Sequence, residues 1–364
     1  MADWQKNNLH ILVINPFGIG DVLFSTPLLR NIRKNFPDSF IAYLCNKRVA
    51  PLLEHNPCID EIFVFEKDEW RALWQRSRFA FIKKFLLFLS RIRERRFQTA
   101  IDLSLGRQYS FFLWLIRVPK RIGFDYKDRG VFLTHKIKIE GYYYKPVPAY
   151  YLELSKFLNI KPSQTKLEVW LTPEEQEKAK DILSKEGIVP GRDLIMGVVP
   201  GGGASWGKDA LLKHWNYDKL ANLVSNLIIH YQAKVILLGD ERERAICDMV
   251  AVKANNKPIN LAGKTDLRTL ASLMKYCKLI ICNDGGPLHI AVAMGVKTVS
   301  IFGPVNEKVY GPYPASYEHI VVTKDVPCRP CYWKFRLPKC ERRICLEEIE
   351  PQEIMQAIYR VMGY

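Results

Sequence analysis

Asp21 closes the stretch Asn15-Pro16-Phe17-Gly18-Ile19-Gly20-Asp21, between a continuous apolar run at 9–14 and a helical pattern reaching Phe36. A carboxylate at that spot has two readings. It caps the helix, or it is a general base, weakened by the helix dipole and strengthened again by desolvation. Far along the chain, Asn283-Asp284-Gly285-Gly286-Pro287-Leu288-His289 follows a strand-like run at 278–282 and leads into small residues ending at Gly295. Such a turn gathers backbone N–H groups and a positive helix end at one point, which suits a phosphate. The next strand pattern, 297–302, ends in Gly303-Pro304. Ligands of open α/β sheets sit beyond the carboxyl ends of the strands. Two adjacent turns of this kind predict a site for a phosphorylated small molecule.

Other stretches carry chemistry less sharply. Pro200-Gly201-Gly202-Gly203 follows a strand pattern at 194–199, and Lys208 and Lys213 come after it. The glycines allow close backbone approach and the lysines can neutralise phosphate oxygens; the plain alternative is a surface loop with incidental lysines. Glu241, after Gly239-Asp240, either binds ribose hydroxyls or starts a helix. His289 is either a satisfied buried imidazole or a hydrogen-bond donor beside a diphosphate. Cys328, Cys331, Cys340 and Cys345 are spaced Cys-x2-Cys-x8-Cys-x4-Cys. They read as a structural zinc or iron–sulfur site, or as reduced, packed thiols; disulfides do not suit a reducing compartment. Gly18-Ile19-Gly20 lacks the third glycine of a dinucleotide fingerprint, and no P-loop pattern is present.

The elements that must position these residues alternate. Strand patterns at 9–14, 40–44, 61–65 and 99–103, then at 194–199, 234–238, 258–261, 278–282 and 297–302, are separated by helical stretches. The stretch 120–145, rich in Gly, Tyr and basic residues, is expected to be irregular. This order predicts an α/β fold of two Rossmann-like domains with parallel sheets, facing each other across a cleft. The expected divisions are 1–170, 171–345, and a helix within 346–364 that packs back on the first domain. A Thr172 N-cap with Pro173 at N1 is expected to open the second domain.

The chain has 364 residues, 48% hydrophobic and 25% charged, as a soluble globular protein does. No apolar run reaches the roughly 18 residues of a spanning helix, and residues 1–10 do not read as a secretory signal. The bacterial-type cytosol, or its membrane face, is the expected compartment. The net charge of +16 is concentrated: 70–96 holds nine Lys or Arg and one acid, Glu94, on an amphipathic helical pattern. That pattern is a core-packed helix with a solvated basic face, a contact for an anionic membrane or lipid-linked acceptor, or a nucleic-acid contact. No nucleic-acid-binding motif accompanies it, so nucleic acid is not expected.

Taken together, these residues resemble glycosyltransferase family 9, the ADP-heptose:lipopolysaccharide heptosyltransferases. The resemblance runs over nearly the whole chain: Gly18-Ile19-Gly20-Asp21-Val22-Leu23 with Thr26-Pro27-Leu28-Leu29, then Arg121-Ile122-Gly123-Phe124, Lys213-His214-Trp215, and 283–289 through Phe302-Gly303-Pro304. It implies a GT-B fold, inversion at the sugar, and no cofactor or catalytic metal. It makes Asp21 the base and Lys213 the stabiliser of the leaving diphosphate. It assigns donor binding to Asp284, Gly285, Gly286 and His289 and, approximately, Glu241; the glycine loop, denser than the family's, adds Gly201 and Gly202 as donor-binding candidates and Lys208 as a second lysine to share the role of Lys213. Gly20, Arg117, Lys120 and Arg121 become the acceptor side. An ADP-sugar donor, a lipid-linked anionic saccharide acceptor, and peripheral association with the cytoplasmic face of the inner membrane follow as expectations. Two alternatives stay open: another nucleotide sugar or glycan acceptor, and a non-catalytic nucleotide-sugar or glycolipid-binding module.

Overall fold

Apolar strands flanked by helical stretches must have both faces covered, and the chain meets this requirement twice. A computed structural model describes residues 9–202 and 204–363, without the side chains of 204–206 and 208. The chain divides into two compact units, Met1–Tyr142 with Val147–Thr165, and Tyr143–Pro146 with Lys166–Tyr364.

The first unit contains β1 (His10–Ile14), α1 (Ile19–Phe24), α2 (Thr26–Asn35), β2 (Phe40–Cys45), β3 (Glu61–Val64), α3 (Lys67–Arg76) and α4 (Arg78–Glu94). It continues with β4 (Thr99–Asp102), α5 (Arg107–Leu115), β5 (Lys120–Tyr126), β6 (His135–Ile139) and α6 (Val147–Glu153). Its parallel sheet has the order β3-β2-β1-β4-β5-β6. Leu12, Ile14, Leu44, Phe63, Ile92 and Leu113 share one core cluster between sheet and helices.

In the second unit lie α7 (Pro173–Lys185), β7 (Ile195–Val199), α8 (Tyr217–Tyr231), β8 (Lys234–Leu237), α9 (Arg244–Lys253), β9 (Ile259–Asn260) and α10 (Leu267–Tyr276). After these come β10 (Leu279–Asn283), α11 (Gly286–Ala293), β11 (Lys297–Ile301), α12 (Glu307–Tyr310), β12 (His319–Val322), α13 (Ile344–Glu347) and α14 (Pro351–Met362). The sheet repeats the same pattern, β12-β11-β10-β7-β8-β9. Thr172 caps α7 as expected, in a reciprocal box with Glu175.

Three expectations are corrected. The single helix expected after Asp21 is two, because Pro27 cannot donate to Leu23 O; the Thr26 hydroxyl donates there instead, at 2.7 Å. The basic helix at 70–96 is a hairpin, broken at Ser77, whose extended backbone (φ −159°, ψ 107°) lets its side chain accept from Ala80 N. The stretch 120–145 carries β5 and β6, since Ile122, Phe124 and Tyr126 alternate into the interior beneath the basic residues. Within the second unit, Ile354, Ala357, Ile358 and Val361 of α14 recur at three- and four-residue steps against β11, β12 and α8.

Candidate functional site

In each sheet the strand order reverses once, between β1 and β4 and between β7 and β10. Loops from the two strands diverge there and leave a crevice at the carboxyl edge. Both reversals carry the residues singled out by sequence.

At the first, the β1–α1 turn is held from below. Asn15, fully buried, donates through Nδ2 to Asp21 O at 2.9 Å and accepts from Phe17 N; Asn46 Nδ2 donates to Phe17 O at 2.6 Å. Gly18 is the N-cap of α1 and contributes no side chain, so Asp21 is not the cap; it stands in the first helical turn, directly after Gly20. Its charge reaches the buried Tyr142, Tyr151 and Tyr43 hydroxyls. Burial raises the pKa of all three phenols, and Asp21 raises it further. These neutral phenols make an apolar-walled floor near the carboxylate.

Asp102, the last residue of β4, was not foreseen. It pairs in register with Ile14 and accepts from Ser104 N at 2.9 Å while 3% exposed. Burial pushes its pKa up to about 6, against an ordinary 3.8. A lone Asp after Ala-Ile reads as a strand terminus; only the sheet order reveals that it neighbours the Asp21 strand.

The second reversal joins the glycine turns. Asn283 Nδ2 donates to Pro200 O at 2.7 Å, and Asn283 Oδ1 accepts from Trp215 N at 3.2 Å. The end of β10 is thus laced to the loop after β7 and to the Lys213-His214-Trp215 segment. A Cβ on Gly285 would lie 1.9 Å from Gly202 O, so the two turns touch backbone to backbone. Gly286 begins α11, with Pro287 in its first turn. The free N–H groups of that turn form an anion seat.

Cations lie beneath the seat. Lys213 Nζ is 2.7 Å from Asp284 Oδ2, with both side chains under 10% exposed. His289 is buried in α11, and burial, reinforced by Lys213, lowers its pKa to about 3. His214 falls to about 4 through burial, Arg343 and Lys213, and its Nδ1 meets Tyr217 OH at 2.8 Å. Both imidazoles are therefore neutral at pH 7, able to donate one hydrogen bond but not to carry charge. The arrangement can stabilise charge growing on a leaving diphosphate.

The remaining expected residues are placed less centrally. Glu241 is exposed at the carboxyl edge of β8, with its Oε2 only 2.1 Å from where a Gly263 Cβ would stand. The buried acid in this loop is instead Glu243, which accepts from Asp240 N at 3.0 Å and fills the space over Gly201. The Lys208 side chain lies outside the described residues.

Lys120 and Arg121 are not brought to Asp21. The register pairs them with Thr99 and Ala100, at the amino edge of the sheet, whereas Asp21 follows the carboxyl edge, about 10 Å away along the strands. Lys120 Nζ donates to Phe157 O, and Arg121 Nε donates to Phe132 O at 2.6 Å, so both hold neighbouring chain. Arg117, exposed just after α5 with φ 63°, is at that same edge.

The four cysteines differ in exposure. Cys328 and Cys340 are exposed, while Cys345 is buried in the second core. Burial, and then the neighbouring sulfurs, push the Cys345 thiol up to about 11. Among the described residues, no group of three or more His, Cys, Asp or Glu is arranged to hold a metal ion.

The family model for glycosyltransferase family 9 (heptosyltransferase) matches residues 86–338. A lipooligosaccharide heptosyltransferase 2 of Campylobacter jejuni is 24% identical, over 97% of this chain and 99% of its own. The lipopolysaccharide heptosyltransferase 2 of Salmonella typhimurium is 22% identical, over 81% of this chain and 83% of its own. Among solved structures, a family 9 glycosyl transferase from Veillonella parvula superposes with a TM-score of 0.80 at 23% identity, covering 99% of both chains. The E. coli ADP-heptose lipopolysaccharide heptosyltransferase II gives 0.75 at 20% identity, covering 97% of this chain and 98% of that one. These likenesses show a GT-B fold of two Rossmann-like units.

Proposed function

This chain belongs to glycosyltransferase family 9 and is a glycosyltransferase; from that premise we propose that it moves heptose from ADP-heptose to the anionic, lipid-linked inner core of lipopolysaccharide, inverting the sugar and using no metal. The observation that carries the donor half is the buried Lys213–Asp284 pair beside His289, under the Gly285-Gly286 turn. A fixed cation, a neutral imidazole donor and a helix N-terminus supply charge stabilisation that a metal would otherwise provide. Heptose and the core acceptor are suggested by the heptosyltransferase relatives, and ADP-heptose by the E. coli structure.

In the proposed step, Asp21 takes the proton of an acceptor hydroxyl as that oxygen attacks the anomeric carbon of the donor. The bond from that carbon to the diphosphate oxygen breaks, and its electron pair leaves on ADP. Lys213, His289 and the amides of Gly285 and Gly286 receive the growing negative charge. Gly201, Gly202 and Lys208 line the donor side in this reading, and Glu241 faces the ribose. The acceptor is held near Gly20. No helix among the described residues is long and apolar enough to cross a membrane; a lipid-linked acceptor places the enzyme at the cytoplasmic face of the inner membrane as a peripheral protein.

Asp21→Asn tests the base. Turnover with ADP-heptose and a core acceptor is expected to fall by ~100-fold or more, with ADP affinity unchanged by calorimetry. Unchanged turnover would remove Asp21 from the reaction. A panel of nucleotide sugars in the same titration checks the donor, since tighter binding of a UDP-sugar would overturn the ADP-heptose assignment.

A further inference from the structure

The α3–α4 hairpin and α5 show the solvent a surface that their core packing does not explain. On α4, Phe81, Phe85, Phe88, Leu89 and Ile92 turn inward, as a helix stripe should. The opposite face is also apolar: Phe79 is 80% exposed, Leu87 62%, Leu86 60% and Ile82 49%. Lys83 stands among them, and Arg78 and Arg93 at their margins, all exposed. Beside α4, Trp114 and Leu115 of α5 are each about half exposed. A ring contact joins the two helices, Phe85 to Phe112 at 5.1 Å, and within α5 Phe111 stacks on Trp114 at 5.8 Å. The cavity beneath α4 measures only ≈ 20 Å³ and is wholly apolar, so nothing larger than a water fits under the helix. Whatever meets this surface meets its outer face.

The direction of α4 sets where that face lies. Arg91 and Arg95 pair with Glu61 at the start of β3, while Phe81 packs on Trp70 and Trp74 of α3, beyond the strand's end. Seventeen residues span about 25 Å against roughly 13 Å for the four-residue strand β3. The Phe79 end of α4 therefore overhangs the carboxyl edge of the first sheet, the edge that carries Asp21.

We propose that the outer face of α4, with Trp114 and Leu115 of α5, is a docking surface for an anionic phospholipid bilayer, lying in the plane of its interface. The partner's chemistry follows from three features. Large apolar side chains standing 50–80% clear of the protein are suited to entering the acyl boundary. An indole beside them suits the headgroup level. Basic groups among and around them, with nine Lys or Arg to one acid over 70–96, select anionic headgroups. A nucleic acid would use the charge but would leave Leu86 and Leu87 without a partner. This docking mode deepens the lipid-linked acceptor reading and rests on it for its setting, because it holds the Asp21 edge near membrane-borne substrate.

The test is co-sedimentation of the full chain with vesicles of phosphatidylcholine alone or mixed with phosphatidylglycerol, at low and high salt. Binding is expected to be ~10-fold or more tighter on the mixed vesicles and to weaken as salt rises. Phe79→Ser/Leu86→Ser/Leu87→Ser is expected to lose ~10-fold or more of that binding without a change in melting temperature. Lys83→Glu/Arg93→Glu should lose a similar amount, together with most of the salt dependence. Three results overturn the proposal: wild-type binding that is equal on the two vesicle types, a triple variant that binds like wild type, or a wild-type oligomer that the triple variant dissociates in light scattering while neither protein binds vesicles. None of these readouts uses turnover, so failure of the heptosyl-transfer reading would leave the vesicle result standing, and the reverse.

Discussion

Replacing Lys213 separates its two jobs. It neutralises the Asp284 carboxylate at 2.7 Å in a site where both side chains are under 10% exposed, and in the proposed step it stabilises the leaving diphosphate. Lys213→Ala leaves a buried carboxylate with no counter-charge, a change that costs about 3–5 kcal/mol. In a unit of this size that corresponds to a fall of ~6–20 °C in melting temperature. Asp284→Asn strands the ammonium instead and should cost a comparable amount. Lys213→Ala/Asp284→Asn removes both charges, so at least half of the stability lost to the unpaired charge is expected to return, with a coupling of ~2 kcal/mol or more. Catalysis should not return with it. If Lys213 stabilises the leaving diphosphate, all three variants lose ~2–4 kcal/mol of transition-state stabilisation, about 30- to 1,000-fold in kcat. Urea melts of the four proteins give the stability cycle, and initial rates at saturating donor give the kinetic one. A double variant that regained turnover along with stability would show that Lys213 only neutralises Asp284. A double variant as unstable as Lys213→Ala would refute the buried-pair energetics.

Asp102 predicts a pH signature. Its folded pKa of about 6 stands above the unfolded value, so the folded chain holds this proton more tightly, and stability falls as pH rises from about 4 to about 6. The gap is worth ~3 kcal/mol. Asp102→Asn keeps the acceptor for Ser104 N, and should abolish this slope and stabilise the protein at pH 7 by up to that amount; a wild-type curve that is flat across the window would show that the carboxyl is not held protonated. Gly285→Ala would drive a methyl into Gly202 O, where the neighbour is backbone and cannot swing away. ADP affinity in calorimetry is expected to fall by ~10-fold or more, as the two turns separate; unchanged affinity would mean that the donor does not use this junction.

Much of the site was legible because its signals are local. Gly285-Gly286-Pro287 after an apolar run, and Gly18 to Asp21 after another, show strand, turn and helix start within seven residues, and both appear where expected. The capping box at Thr172 was equally local. The misreading of 120–145 and the placing of Lys120 and Arg121 turn on pairings distant along the chain, whereas the helix breaks at Pro27 and Ser77 are local. Arg121 looks like a free cation in sequence, but its partner is the carbonyl of Phe132, and the strand register puts it at the amino edge. The α3–α4 break turns on the extended backbone of one serine, and α14 found its place through contacts with strands 30 to 65 residues earlier.

What the amino-acid order determined unaided was the set of parts: two runs of β-α units, glycine turns fit for phosphate, and a basic amphipathic segment. Backbone propensity and hydrophobic period act over a few residues, and such information is written in the chain directly. Only the tertiary structure decided that Lys213 meets Asp284 across 70 intervening positions, that Asp102 lies protected beside β1, and that Lys120 and Arg121 belong to the far edge. Burial sets those charges and pKa values, and burial depends on which strands become neighbours, a choice made by the packing of the whole sheet.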